Sequence, residues 1–156
     1  MPLGNLTSQF FANVYLNELD QFVKHKLKCK YYIRYVDDFV ILHQSKQQLE
    51  IWKEQISKFL SEKLLIQLHP QKSRIIPLSK GIDFVGFRNF YHYNLLRKRN
   101  INSMRKKIEL YKKGEISFSS IYEIYQGWRA YAKWANAHKL SEKLKIQIID
   151  ELLNKI

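Results

Sequence analysis

Residues 31–42 read Tyr-Tyr-Ile-Arg-Tyr-Val-Asp-Asp-Phe-Val-Ile-Leu. Two apolar runs, rich in β-branched and aromatic side chains, flank one pair of carboxylates. The runs have the composition of strands, and Asp-Asp has poor strand propensity, so the pair marks the turn of a hairpin. Two like charges at the tip of a buried hairpin repel each other, and loss of water adds to the cost. A divalent cation offsets that cost well, because carboxylate oxygens suit Mg²⁺. Ordinary turn chemistry also accounts for the dipeptide, since Asp bonds its own backbone in turns. The rest of the chain has to decide between the two.

Composition narrows the partners. The chain has 156 residues, of which 46% are hydrophobic and 14% aromatic, enough for a real core and too apolar for disorder. Its formal net charge is +13. Residues 91–156 carry 14 basic against 6 acidic side chains, while residues 1–90 carry 13 against 8, so the shorter part is the more basic. A basic, aromatic-rich surface suits a polyanion, most often nucleic acid. No apolar run is long enough to span a bilayer, and the N-terminus lacks the pattern of a signal peptide, so the expectation is a cytoplasmic protein without a membrane partner. The single cysteine, Cys29, excludes an internal disulfide framework and a cysteine-rich zinc site. Cys29 sits among lysines, which would lower its pKa, but an incidental surface thiol is the simpler expectation.

Met1 to Asn5 reads as a loop punctuated by Pro2 and Gly4, and Thr7 or Ser8 can cap the helix that follows. Apolar residues at helical spacing predict that helix over about 7–27, ending in a lysine-rich stretch that suits the negative end of its dipole. Ser45 is expected to cap a helix over 46–63. Strands are expected over 64–68 and 74–78, separated by the loop His69 to Ser73. A Gly-containing hairpin follows over 81–93. Beyond Asn100 the period changes to 3.6, and helices are predicted over about 101–112, 117–136 and 140–154. The expectation is an α+β region over 1–95 followed by an all-α region over 96–156.

A Pro-x-Gly loop and long helix, a Tyr-x-Asp-Asp hairpin, a helix and strand with a Pro-x-Lys loop, an aromatic-Gly hairpin and a basic helical tail occur here in that order. This order resembles the palm and thumb of a reverse transcriptase, and the resemblance covers nearly the whole chain. It implies an α+β fold: a partial polymerase palm over 1–95, in which an antiparallel sheet with the Tyr-Val-Asp-Asp hairpin is packed by two helices, then a three-helix thumb over 96–156.

The resemblance also implies roles. Asp37 would bind metal, with Asp38 as a weaker partner, in a two-metal scheme whose Mg²⁺ (or Mn²⁺) ions lie roughly 3.5–4 Å apart. One ion would activate a primer 3′-hydroxyl and the other would hold the triphosphate. Lys72 would neutralise departing pyrophosphate, as a point charge suits it to do. An exposed loop lysine is the alternative. Gly4, Asn5, Ser8 and Gln9 would meet the incoming nucleotide and the template. Tyr35 would lie beside the primer terminus, although core packing explains it equally well. Phe84, Gly86 and Phe87 resemble a primer grip, again with core packing as the alternative. Arg97, Lys98, Arg99, Arg105, Lys106 and Lys107 are candidates for nucleic-acid backbone contact. Trp128, Tyr131 and Trp134 would share a face in the thumb core.

The sequence departs from most of the superfamily at Leu3, where Gln is usual, and at Gln9, where Pro is usual. That variant resembles the reverse transcriptases of diversity-generating retroelements, which are error-prone at template adenines; group II intron and retron enzymes are also similar. The implied setting is the cytoplasm of a bacterium or archaeon, or a phage. The implied partners are an RNA template, a DNA primer and deoxynucleoside triphosphates. Enzymes of this class use a further aspartate from an earlier strand, and Asp20, Asp83 and Asp150 do not sit in a matching context. The expectation is therefore a C-terminal piece without fingers, inactive alone, whose partner is the missing N-terminal half or an accessory protein. The rival reading is a non-catalytic module that holds a template–primer duplex.

Overall fold

The computed structural model describes residues 6–154, and side chains from Thr7 onward. The fold is α+β, with two small antiparallel sheets and five α-helices. The chain divides into two compact units, residues 1–76 and 77–156.

In the first unit, α1 (Leu6–Gln21) runs into a π-helical turn (Phe22–Lys26). Thr7 and Ser8 therefore lie within α1, not at its cap as expected. A hairpin follows, β1 (Tyr31–Tyr35) paired with β2 (Asp38–Leu42), then α2 (Lys46–Lys63). Ser45 caps α2 as expected, its hydroxyl accepting the Gln48 N–H at 3.2 Å. Strand alternation sends Tyr32, Phe39 and Ile41 to one face of the hairpin, where they pack on Leu16, Leu19 and Val23 of the first helical segment and on Ile56 and Leu60 of α2. Burying each aliphatic side chain of this kind stabilises by roughly 1.5–3 kcal/mol. Cys29 joins that core, so it is not a surface thiol; burial pushes its pKa up to about 11.

Residues 64–68 and 74–78 do not form the expected strands. Leu65 takes a left-handed conformation (φ 52°), and the Ile66 N–H turns back to the Leu60 carbonyl at 3.1 Å. That bond closes the end of α2 and spends the backbone on the helix terminus. Pro77 then precedes a single 3₁₀ turn over Leu78–Lys80.

The second unit carries a three-stranded sheet in the order β3 (Ile82–Phe84), β4 (Phe87–Asn89), β5 (Asn94–Leu96). Three helices follow: α3 (Lys98–Lys112), α4 (Phe118–Ala132) and α5 (His138–Leu153). Met104, Ile108, Ile121, Tyr125, Leu144 and Ile148 form their common core. The sheet, counted with the palm on sequence alone, packs in the same unit as these helices: Phe87 stacks on Tyr131 at 4.8 Å, and Leu96 lies in a cluster with Ala132 and Ala137. Trp128 and Tyr131 contribute to packing, but Trp134 does not share their role. It lies beyond the end of α4 and is 76% exposed.

Candidate active site

The register Tyr35↔Asp38 leaves Val36 and Asp37 as a two-residue loop, so the carboxylates sit at the tip and at the first strand position after it. Val36 has φ 54°, a left-handed conformation that a β-branched residue rarely adopts. Asp37 and Asp38 are both exposed, so the tip is not buried and the desolvation argument made from sequence does not hold there. Asp38 lies on the face of the hairpin opposite the core, together with Tyr31, Ile33 and Tyr35, each more than half exposed. That face presents aromatic and aliphatic side chains to solvent beside a carboxylate.

A polar network lies under the turn. The Arg34 side chain, 9% exposed, forks onto Asp20 of α1: Nε donates to Oδ1 at 2.8 Å and Nη2 to Oδ2 at 2.6 Å. Its remaining nitrogen, Nη1, donates to the Val36 carbonyl at 2.6 Å and to Asn13 Oδ1 at 2.9 Å. The Tyr32 hydroxyl donates to Asp20 Oδ1 at 2.6 Å. Arg34 above all holds the Asp20 carboxyl below its ordinary range, with Tyr32 helping against the opposing effect of burial. Burial first, then the Asp20 hydrogen bond, pushes the Tyr32 phenol well above its usual range. Sequence reasoning passed over this network. The available signal was the alternation that puts Arg34 on the inward face with Tyr32 and Phe39, where a lone guanidinium needs a partner.

The other predicted residues fall as follows. Gly4 and Asn5 lie outside the described residues. Ser8, half-buried, and Gln9, exposed, lie in the first turns of α1. Lys72 is exposed in the turn over 69–72, whose carbonyl at His69 accepts from the Lys72 and Ser73 N–H groups at 3.2 and 3.0 Å. Phe84 and Phe87 are partners across the β3–β4 turn, with Gly86 between them at φ 82°. A Cβ on Gly86 would collide with the Tyr131 hydroxyl, so the glycine is required by close approach as well as by backbone conformation. Arg97 pairs with Asp83 at 3.5 Å. Lys98, Arg99, Arg105 and Lys106 are exposed on α3, with Lys98–Arg105 and Arg99–Lys106 each two turns apart.

Two adjacent exposed carboxylates fit a hard divalent cation by donor type. Among the described residues no group of three or more His, Cys, Asp or Glu side chains lies together, at this turn or elsewhere. No described helix is long and apolar enough to cross a membrane.

A family model described as reverse transcriptase (RNA-dependent DNA polymerase) matches residues 1–89. The chain belongs to the reverse transcriptase family. A search of curated proteins returns no match. The family's members are RNA-directed DNA polymerases that use divalent metal ions, RNA templates, DNA primers and deoxynucleoside triphosphates. The matched region of this reverse transcriptase chain takes in the whole carboxylate hairpin and its Arg34–Asp20 support.

Proposed function

We propose that this chain carries the metal-binding turn of an RNA-templated DNA polymerase, with a palm part over 1–95 and a thumb over 96–156. The observation that carries the reading is the pair Asp37 and Asp38, presented to solvent at the tip of a hairpin whose other face is anchored in the core. Asp37 and Asp38 would hold Mg²⁺ or Mn²⁺, which when bound supplies charge neutralisation and activation of a primer 3′-hydroxyl. Tyr35, exposed on the same face as Asp38, would line the primer terminus. Lys72 would meet the leaving pyrophosphate. Ser8 and Gln9, with Gly4 and Asn5, would contact the nascent base pair. Phe84, Gly86 and Phe87 would grip the primer strand, and Arg97, Lys98, Arg99, Arg105 and Lys106 would follow the backbone. Each phosphate neutralised would add roughly 0.9 to the log–log salt slope on a duplex.

The remaining metal ligand is proposed to come from a fingers-and-palm piece or an accessory protein. The exposure of Tyr31, Ile33 and Tyr35 on the outer face of the hairpin supports that reading, since such a piece would cover them. Leu3 and Gln9 favour a diversity-generating type of element, and that prokaryotic setting puts the work in the cytoplasm.

Primer extension on an RNA template with Mg²⁺ tests the reading. The chain alone should be inactive, and a complementing piece should restore synthesis that Asp37→Ala abolishes. Synthesis by the complemented complex that survives Asp37→Ala would sink the proposal. The exposed cations of α3 favour a second reading, a non-catalytic module that holds a duplex. In that case complementation yields no synthesis, and Asp37→Ala leaves duplex affinity unchanged or raised.

A further inference from the structure

Val36 stands in a conformation that its side chain opposes, at the residue immediately before the two carboxylates. Left-handed backbone at a β-branched residue persists only where its surroundings over-determine it. The Val36 carbonyl accepts a hydrogen bond from the Arg34 guanidinium, and the other arms of that guanidinium are committed to Asp20 and Asn13 of α1. Four hydrogen bonds fix one planar group with 9% of its side-chain surface exposed. The carbonyl is thereby tied to the helix, not merely to its own strand.

We propose that Arg34 is a positioning residue for the Asp37–Asp38 turn. Anchored on Asp20 and Asn13, it grips the Val36 carbonyl and keeps the turn in the one conformation that presents both carboxylates. The chemistry requires a guanidinium. Its five N–H groups radiate in the plane as a rigid fork, so one edge takes a carboxylate in two bonds while the far nitrogen reaches a carbonyl. A lysine ammonium is a single point and cannot span these acceptors, although it keeps the charge opposite Asp20. The functional consequence rests on the reading of Asp37 and Asp38 as metal ligands. The conformational claim does not.

The test is amide hydrogen exchange and Mn²⁺ titration, both followed by NMR on the full chain, in wild type, Arg34→Lys, Val36→Gly and the double variant. Arg34→Lys should speed exchange at residues 36–38 by about tenfold while Tyr32 and Ile41 stay within about twofold. Val36→Gly should remove most of that effect from the double variant, because glycine takes the left-handed conformation without strain and no longer needs the grip. Mn²⁺ broadening at Asp37 and Asp38 should need about fivefold more metal in Arg34→Lys than in wild type. Unchanged exchange at the turn would overturn the inference. So would acceleration spread evenly over α1 and the hairpin, which would make Arg34 a support of the fold alone, or effects of Arg34→Lys that are the same with and without Val36. A wild-type chain indifferent to Mn²⁺ would instead overturn the metal reading, leaving the exchange rates to decide on Arg34.

Discussion

Two of the hairpin turns, β1–β2 and β3–β4, solve one problem in different ways. Each connects its strands with two residues, and each begins with a valine in left-handed conformation, Val36 at φ 54° and Val85 at φ 48°. At the β3–β4 turn the second residue is Gly86, also at positive φ, which is the pattern that matches strand twist in a two-residue loop. Tyr131 lies over that glycine, and the Asn89 amide approaches the carbonyls of Ile82, Phe84 and Phe87 at 3.2–3.4 Å. At the β1–β2 turn the second residue is Asp37, and a side chain from the inward face, Arg34, takes the strained carbonyl. One turn is closed by packing and holds no charge. The other is closed from beneath by a charged network, which leaves its tip open to solvent and free to carry two carboxylates. The open tip leaves room for the cation and substrate that the proposed function requires, which a tyrosine roof would not.

The largest effect that would break this comparison is expected at Gly86. Gly86→Val should destabilise the second unit by about 3 kcal/mol in urea unfolding, since left-handed strain and overpacking against Tyr131 add. A cost under about 0.5 kcal/mol would mean that Tyr131 does not close this turn.

Next is the charged network. In the folded state the Asp20 carboxyl is held below the ordinary carboxyl value of 3.8, chiefly by its hydrogen bonds to Arg34. Its contribution to stability is therefore present above that value and lost as pH falls through the folded pKa. Asp20→Asn should cost about 1–2 kcal/mol at pH 7 and flatten the acid limb of the stability curve. An acid limb identical to wild type would show that Asp20 is not linked to folding.

Asn89→Ala should cost about 1 kcal/mol, because the three carbonyls of the packed turn lose a shared donor. The smallest expected effect lies at the open tip. Asp37→Asn should leave the unfolding midpoint within about 0.5 kcal/mol of wild type, because the side chain is exposed, while removing any Mg²⁺-dependent shift at the turn. A large loss of stability would mean that the carboxylate is structural.

Much of the fold was legible along the chain. The hairpin over 31–42, the α2 cap at Ser45 and the three helices after residue 97 follow from strand propensity, an N-cap and 3.6-residue periodicity. The misses share a cause. Leu65 and Val36 give no local sign of left-handed backbone, because leucine and valine disfavour it and adopt it only under tertiary demand. Cys29 was misjudged from charged neighbours in sequence, whereas the core that buries it is assembled from α1, α2 and the hairpin. Asp20 was set aside for lack of a motif, and its partner lies fourteen residues away.

The sequence by itself determined that the Asp-Asp pair would lie at a hairpin turn, since its poor strand propensity separates the two aromatic and β-branched runs of residues 31–42. It determined the α+β class through the change of hydrophobic period. Only the tertiary structure decided that the carboxylates face solvent, that the aromatic side of the hairpin is open, and that Arg34 holds the turn from Asp20. The physical reason is that periodicity and propensity are local, while burial and a five-donor guanidinium's choice of partners depend on which helix the strand is packed against.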